Sequence, residues 1–270
     1  MGLLSVDKDL CTHDEICAAV CPVGIIEFDA EDLPRIEDGP ASLCVRCGHC
    51  VASCPSGALS HAELAAGDFV PAQRRSAIRP ETLAGLLRSR RSVRRYKAEP
   101  VPRETLARLI DAARFAPTAI NTQHVRWIVS EDIAATRNLA SLAMDWLRES
   151  GGRPRLVEAW DQGQEVVLRG APHVAVAIAP ADSLWAATDC AIAVSFLELM
   201  AHVSGLGACW AGLLLRATAS HPPLARALGL PEGFAALGAL MLGRPEHRFF
   251  LAPPRRAAHV TWLAKDKETR

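Results

Sequence analysis

The chain has 270 residues with 30 basic and 30 acidic side chains and no formal net charge, so it lacks the general basic surplus of a nucleic-acid or anionic-membrane binder. Half of its residues are apolar, enough for a sizeable core, and the length suits about two domains. No uninterrupted apolar run reaches the ~18 residues of a membrane span, and the opening residues lack the basic and hydrophobic regions of a signal peptide, so a soluble, cytoplasmic protein is expected.

From the N-terminus, cysteine spacing dominates. Cys11, Cys17 and Cys21 are followed by Cys44, Cys47, Cys50 and Cys54, the second group in the C-x2-C-x2-C-x3-C-P arrangement of bacterial iron–sulfur proteins. Such spacing lets one tight turn offer three thiolates to a single cube while the last thiolate serves another. A shift of 33 residues superposes Cys11 on Cys44, Cys17 on Cys50 and Cys21 on Cys54, together with the prolines and glycines that follow. Opposite Cys47 stands Asp14, a harder oxygen donor that holds iron less firmly than a thiolate. A four-sulfur zinc site is the competing reading, and the crossed spacing disfavours it.

The repeat resembles the two-cluster bacterial ferredoxins. That resemblance implies two iron–sulfur clusters, one held by Cys11, Asp14, Cys17 and Cys54 and the other by Cys21, Cys44, Cys47 and Cys50. Both are expected as 4Fe-4S, with a 3Fe-4S form as the alternative at the Asp14 site. Thiolate ligands suit a reducing compartment, and the remaining Cys190 and Cys209 read as small buried hydrophobes. Residues 1–62 form the first expected domain, 63–79 a linker, and 80–270 the second domain.

In the second domain, Pro80 opens a helix with Leu83, Leu86 and Leu87 on one face, and another follows Pro100 with Leu106, Leu109, Ile110 and Ala113 at helical spacing. Both are expected to be core helices. Between them Arg90, Arg91, Ser92, Arg94 and Arg95 would by themselves be a solvated basic turn. Asn121 and Gln123 precede a short strand at 127–129, and a helix follows over 132–148 with Leu139, Leu142, Ala143 and Trp146 on one side. Residues 151–154 read as a loop, 173–178 and 235–242 as buried strands, and 189–204 as an apolar helix carrying Phe196, Leu199, Met200 and Val203. Asp182 and Asp189 read as caps of that helix. Glu198 and His202, one turn apart, read as an ordinary polar pair rather than metal ligands. No G-x-G-x-x-G follows a strand, so no Rossmann site is expected.

Taken in order, the Arg90–Arg91–Ser92–Val93–Arg94 segment, the run from Ala116 and Pro117 to Asn121 and Gln123, the Gly205–Gly212 stretch with Cys209 and Trp210, Gly243 with Pro245, and the late Arg255–Arg256 pair resemble the flavin-dependent nitroreductase family. The likeness spans roughly residues 80 to 264. It implies an α+β fold, a nitroreductase-like mixed sheet flanked by helices behind a small ferredoxin-like domain. It also implies an FMN site, for which guanidinium groups of Arg90, Arg91, Arg94, Arg255 and Arg256 with the Ser92 hydroxyl suit a phosphate dianion. Asn121 and Gln123 are the candidates for the ring edge, and Trp210, Gly212 and Leu213 for the surroundings of its reactive nitrogen. His124 and Val125 replace the family's usual proline and aromatic residue at the reacting end. A homodimer that exchanges a C-terminal arm bearing Trp262 is the implied assembly.

The function expected is therefore that of an FMN-dependent oxidoreductase. Electrons would enter through two iron–sulfur clusters and leave to a small electron-poor acceptor: a nitroaromatic, a quinone or an activated alkene. Ferredoxin or NAD(P)H is the expected donor, and no side chain need act as a nucleophile because the cofactor carries the chemistry. The alternative is an electron-transfer or redox-sensing module that passes electrons between protein partners without turning over a small molecule.

Overall fold

The computed structural model describes residues 2–72 and 77–263. In the N-terminal module, β1 (Leu4–Val6) pairs antiparallel with β4 (Leu59–His61), and β2 (Glu27–Phe28) pairs antiparallel with β3 (Pro34–Arg35). Three short helices lie between the outer strands: α1 (Ile16–Ala19), α2 (Asp38–Ala41) and α3 (His49–Ser53). The cysteine repeat is also a backbone repeat. His13 and Arg46 have φ of 52° and 51°, Glu15 and Gly48 have 57° and 71°, and Gly24 and Gly57 have 68° and 69°. Each pair is related by the same shift as the cysteines, so the left-handed residues that wind the chain around its thiols recur in both halves. Leu4, Cys17, Ile26 and Leu59 are the small core beneath.

The segment between the modules folds back on the first. It makes a 3-10 turn at Ala66–Asp68, and Phe69 lies so close to Gly48 that an added Cβ there would meet its ring at 3.2 Å.

The second module is built on a four-stranded antiparallel sheet. Its strands are β5 (Arg126–Val129), β6 (His173–Pro180), β7 (Gly207–Trp210) and β8 (Phe234–Gly243), in the order β5-β6-β8-β7. Beyond β7, Ser92 makes a parallel bridge with Ala208, which gives the sheet its mixed character. Along β6 the residue sizes alternate with the pleat. Val174, Val176 and Ile178 face α6 (Ile133–Glu149), whereas Ala175, Ala177 and Ala179 face α5 (Arg103–Ala113) and α8 (Ala186–Val203). The small residues bring α8 down onto the sheet: a Cβ added at Gly238 would stand 2.7 Å from Val194 Cγ2. By length and composition α8 would suffice to cross a membrane, with mean hydropathy 1.4. Here its apolarity serves the core, where Cys190, Val194, Leu197 and Ala201 are buried among sheet residues.

The α+β architecture agrees with the sequence reading, and two local expectations are corrected. The first helix, α4 (Pro80–Ser89), buries no residue, and Leu83 and Leu87 are exposed, so it is not a core helix in the isolated chain. Asp189 lies in the first turn of α8, but its carboxylate accepts from Ala119 in a loop distant in sequence rather than capping the helix. Three short helices, α7 (Pro154–Asp161), α9 (Gly212–Thr218) and α10 (Pro222–Ala227), lie in stretches for which no helix was expected, and α7 packs Leu156, Val157 and Trp160 against the core.

Candidate functional site at the junction of the two modules

In the N-terminal module the eight expected metal donors fall into two sets. One cavity is lined by Cys11, Asp14, Cys17 and Cys54, and a second by Cys21, Cys44, Cys47 and Cys50. All seven cysteines there are free thiols. Among the described residues no three His, Cys, Asp or Glu groups converge closely enough for a single ion; the donors surround voids instead. Asp14 Oδ1 accepts from the Ile16 N–H at 3.0 Å and Oδ2 from the Thr12 hydroxyl at 2.8 Å. Each oxygen keeps one lone pair for another partner.

The arginine segment runs along the β7 edge, zipped there by main-chain contacts. Val93 N–H donates to Ala208 O at 2.9 Å, and Gly207 must be glycine because its Cβ would meet Val93 Cβ at 2.8 Å. Further on, Lys97 N–H donates to Arg244 O, Glu246 N–H donates to Arg95 O, and Tyr96 bridges Pro245. Gly243 admits this crossing, since a Cβ there would stand 2.5 Å from Pro172 Cδ and 2.9 Å from the Tyr96 ring. Tyr96 donates its hydroxyl to Val93 O at 2.6 Å, and burial raises its pKa above the usual phenol range. Three stretches far apart in sequence thus meet at one edge.

At this edge Arg90 Nη1 donates to Glu198 Oε1 at 2.7 Å, a largely buried ion pair. Arg91 Nε donates to Arg90 O at 2.6 Å, and Arg94 Nη1 to Ser92 O at 3.3 Å. His202, one turn from Glu198, points instead to the Ser89 hydroxyl at 2.9 Å, and burial, helped by Arg90, lowers its pKa. Glu198 and His202 are therefore an ordinary polar pair with separate partners. Trp210 ends β7 partly exposed, and Gly212 and Leu213 open α9 with free space where a Gly212 Cβ would stand. Arg255 and Arg256 lie in an exposed segment without secondary structure, and no hydrogen bond or ion pair among the described residues joins them to Arg90.

The loop bearing Asn121 and Gln123 holds three left-handed residues, Ile120, Asn121 and Gln123, with φ of 45°, 55° and 47°. Such backbone persists only where its surroundings over-determine it. Asp189, 2% exposed, is one such anchor: its Oδ1 accepts from Ala119 N–H at 3.1 Å. Its Oδ2 lies 3.0 Å from His124 Nε2, and neither of these two buried atoms makes a hydrogen bond among the described residues. Thr118 Oγ1 also accepts from Gln123 N–H at 3.0 Å. The loop's apex then reaches the other module, where Asn121 Nδ2 donates to Val45 O and Arg46 O, each at 3.0 Å. Beside this contact a cleft of about 710 Å3 opens between the modules, lined in part by Phe69, Phe115, Arg114 and Gln123.

The partners Glu198 and Asp189 were missed as site residues. Each is one carboxylate on an apolar helix, and only the fold shows what it faces. Burial pushes the Cys190 thiol up to about 12, with Asp189 adding to it, and raises Cys209 as well, in keeping with two inert core thiols.

The model of the Nitroreductase family matches residues 87–244, and that of a 4Fe-4S dicluster domain matches residues 10–59. An FMN reductase [NAD(P)H] of Bacillus subtilis is 30% identical over 202 residues, 68% of this chain and 75% of that protein. A nitroreductase of Desulfitobacterium hafniense, solved with bound FMN, superposes with a TM-score of 0.59 at 25% identity over 69% of this chain and all of that one. A Bacteroides fragilis nitroreductase with bound FMN shares the fold, with a TM-score of 0.57 at 20% identity over 67% of this chain and 98% of that one.

Proposed function

Because the chain belongs to the nitroreductase family and carries a 4Fe-4S dicluster domain ahead of the family's oxidoreductase fold, we propose that it binds FMN and reduces a small electron-poor acceptor with electrons received through its cysteine module. The residues at the β7 edge fit an anionic cofactor. Arg90, Arg91, Ser92 and Arg94 lie on one segment beside β7 and are assigned to its phosphate, and Arg255 and Arg256 would join them from the exposed arm of a partner subunit. Glu198 holds Arg90 in place until a phosphate competes for it. Trp210, Gly212 and Leu213 would border the ring, and Gln123 with the side-chain oxygen of Asn121 would serve its polar edge. Bound there, FMN would supply transfer of a hydride or single electrons, so no side chain is assigned as nucleophile.

In the N-terminal module, soft thiolates in two sets suit two iron–sulfur clusters, with Asp14 as the oxygen donor of one. That donor makes a 3Fe-4S form accessible at its site. The observation that carries the proposal is the Asn121 contact, which sets the flavin-family loop directly against the loop between Cys44 and Cys47. The acceptor class is a nitroaromatic, quinone or activated alkene, and the donor a reduced ferredoxin or NAD(P)H.

The test is anaerobic stopped-flow of the full-length protein, following flavin absorbance after mixing with reduced ferredoxin, NADH or NADPH, then with a nitro and quinone panel. Fast reduction by ferredoxin, with reoxidation by a panel member, supports the reading. Flavin reduction by NAD(P)H alone would remove the cysteine module from the entry path. Rapid exchange with ferredoxin and no turnover of any acceptor would mark a carrier between proteins instead.

A further inference from the structure

The two halves of the N-terminal module share their left-handed turns and, apart from Asp14 opposite Cys47, their cysteine positions, and they differ again at a further position beside each cavity. Phe28 lines the first cavity, and His61, related to it by the same 33-residue shift, lines the second. His61 is only 5% exposed and is fixed at the end of β4, where it pairs with Leu4 and bridges Leu64. Its Nδ1 accepts from the Glu63 N–H at 3.1 Å. A neutral imidazole carries one proton, so acceptance at Nδ1 places that proton on Nε2. Nε2 lies 3.6 Å from Cys44 Sγ, within reach of an N–H···S hydrogen bond. Phe28 has no donor to offer Cys11, the cysteine corresponding to Cys44.

We propose that His61 donates an N–H···S hydrogen bond to the Cys44 thiolate and thereby makes the two halves of the module unequal electron carriers. The inference rests on the reading of the two cysteine sets as cluster sites. A hydrogen bond to a ligating sulfur stabilises the more negative, reduced state, and such bonds are among the factors that set the potential of a thiolate-held iron site. The bond therefore favours reduction of the half containing Cys44. That is also the half whose Val45 and Arg46 carbonyls touch Asn121. An electron shared between the halves, lost by one and gained by the other with no bond made or broken, rests preferentially on the side facing the flavin-family domain.

The test is a potentiometric titration of full-length protein with dithionite, followed by electron paramagnetic resonance, with iron and sulfide content measured on each sample. In wild type two reduction waves are expected. His61→Phe, which copies the other half, should lower one wave by about 59 mV, a tenfold change in a one-electron equilibrium, and leave the other in place. Phe28→His should raise the other wave instead, and it carries the test if His61→Phe fails to retain iron. His61→Gln, which keeps an N–H donor, should recover part of the loss. Unchanged potentials in iron-replete His61→Phe, or equal shifts of both waves, would overturn the role of His61. Wild-type protein without iron would overturn the underlying cluster reading and this inference with it.

Discussion

Asn121 donates a side-chain hydrogen bond to the main-chain oxygen of Arg46 at 3.0 Å, and the same amide nitrogen reaches Val45 O at an equal distance. The acceptors belong to the turn between two thiols, and the donor to a loop that Asp189 anchors from the opposite side. One side chain thus joins the cysteine module to the flavin-family domain. Asn121→Ala should loosen this docking by about 0.5–1.5 kcal/mol per hydrogen bond lost. The expected result is slower flavin reduction through the module at unchanged reduction by dithionite added in excess. Equal rates by both routes in the variant would show that the contact does not position the modules.

Much of this junction was legible in the sequence, and the reasons differ by part. Cysteine spacing reports local winding, and the resemblance to two-cluster ferredoxins that it carries implied the two donor sets, which line separate cavities. The order of the arginine, Asn121, Trp210 and Gly243 segments carried the family resemblance, and the structure joins the arginine, β7 and Gly243 stretches at one edge. What could not be read was partner choice. Nothing local tells that Glu198 meets Arg90 108 positions away, or that Asp189 leaves its helix for Ala119. The exposure of α4 was hidden for a related reason: a periodic apolar face shows that a helix has something to bury, not which chain covers it.

Asp189 gives the second prediction. Replacing it by alanine leaves the Ala119 N–H without its acceptor, and an unsatisfied buried donor costs about 1–3 kcal/mol. Because the loop carries left-handed residues, the cost should appear there first. Hydrogen exchange across residues 116–124 should accelerate roughly fivefold or more in Asp189→Ala, by the same energy range. Asp189→Asn retains an acceptor for Ala119 and should exchange more slowly than the alanine variant. Wild-type protection in Asp189→Ala would mean that the loop is held by other contacts.

The Arg90–Glu198 pair separates a structural role from a binding role. Arg90→Ala together with Arg255→Ala should lower FMN affinity by about two decades or more, at roughly 1.5–3 kcal/mol for each charge-assisted bond. Glu198→Gln removes the competing carboxylate but leaves Arg90 in place, so it should retain FMN affinity or strengthen it. Titration of apoprotein by flavin fluorescence quenching measures all three proteins. Loss of binding in Glu198→Gln as severe as in the arginine variants would show that the pair shapes the site rather than serving the phosphate.

Iron removal should sort the cysteines. Cys190 and Cys209 are buried in the core of the second module, where burial raises both thiol pKa values, and alkylation needs both access and the thiolate. In native protein carrying its metal, little alkylation is expected at any position. After chelation of iron without denaturant, the seven cysteines of the N-terminal module should react while Cys190 and Cys209 stay protected. Mild oxidation should release one iron from the Asp14 site with a three-iron paramagnetic signal, and Asp14→Cys should abolish that release. Peptide mass mapping reads the first outcome and paramagnetic resonance the second; labelled Cys190 in folded protein would contradict its burial.

The last residues described, 249–263, form no secondary structure and expose large apolar side chains, with Phe250 84% and Trp262 87% accessible. An arm of this composition has no reason to stay in water when apolar faces of its own kind are open. Leu83 and Leu87 on α4, and Phe196, Met200 and Val203 on α8, are such faces. Burying one large apolar side chain contributes about 1.5–3 kcal/mol, so a few anchors from each arm would hold a symmetric dimer at micromolar concentration. The arm also carries Arg255 and Arg256, so dimer formation and FMN binding should fail together if the arm of one subunit completes the site of its partner. Phe250→Ser with Trp262→Ser should shift light scattering toward monomer and lower flavin occupancy in parallel. A variant that becomes monomeric yet keeps its flavin would show that the arm stabilises the assembly without contributing to the site, and the phosphate would then rest on the 90–94 segment alone.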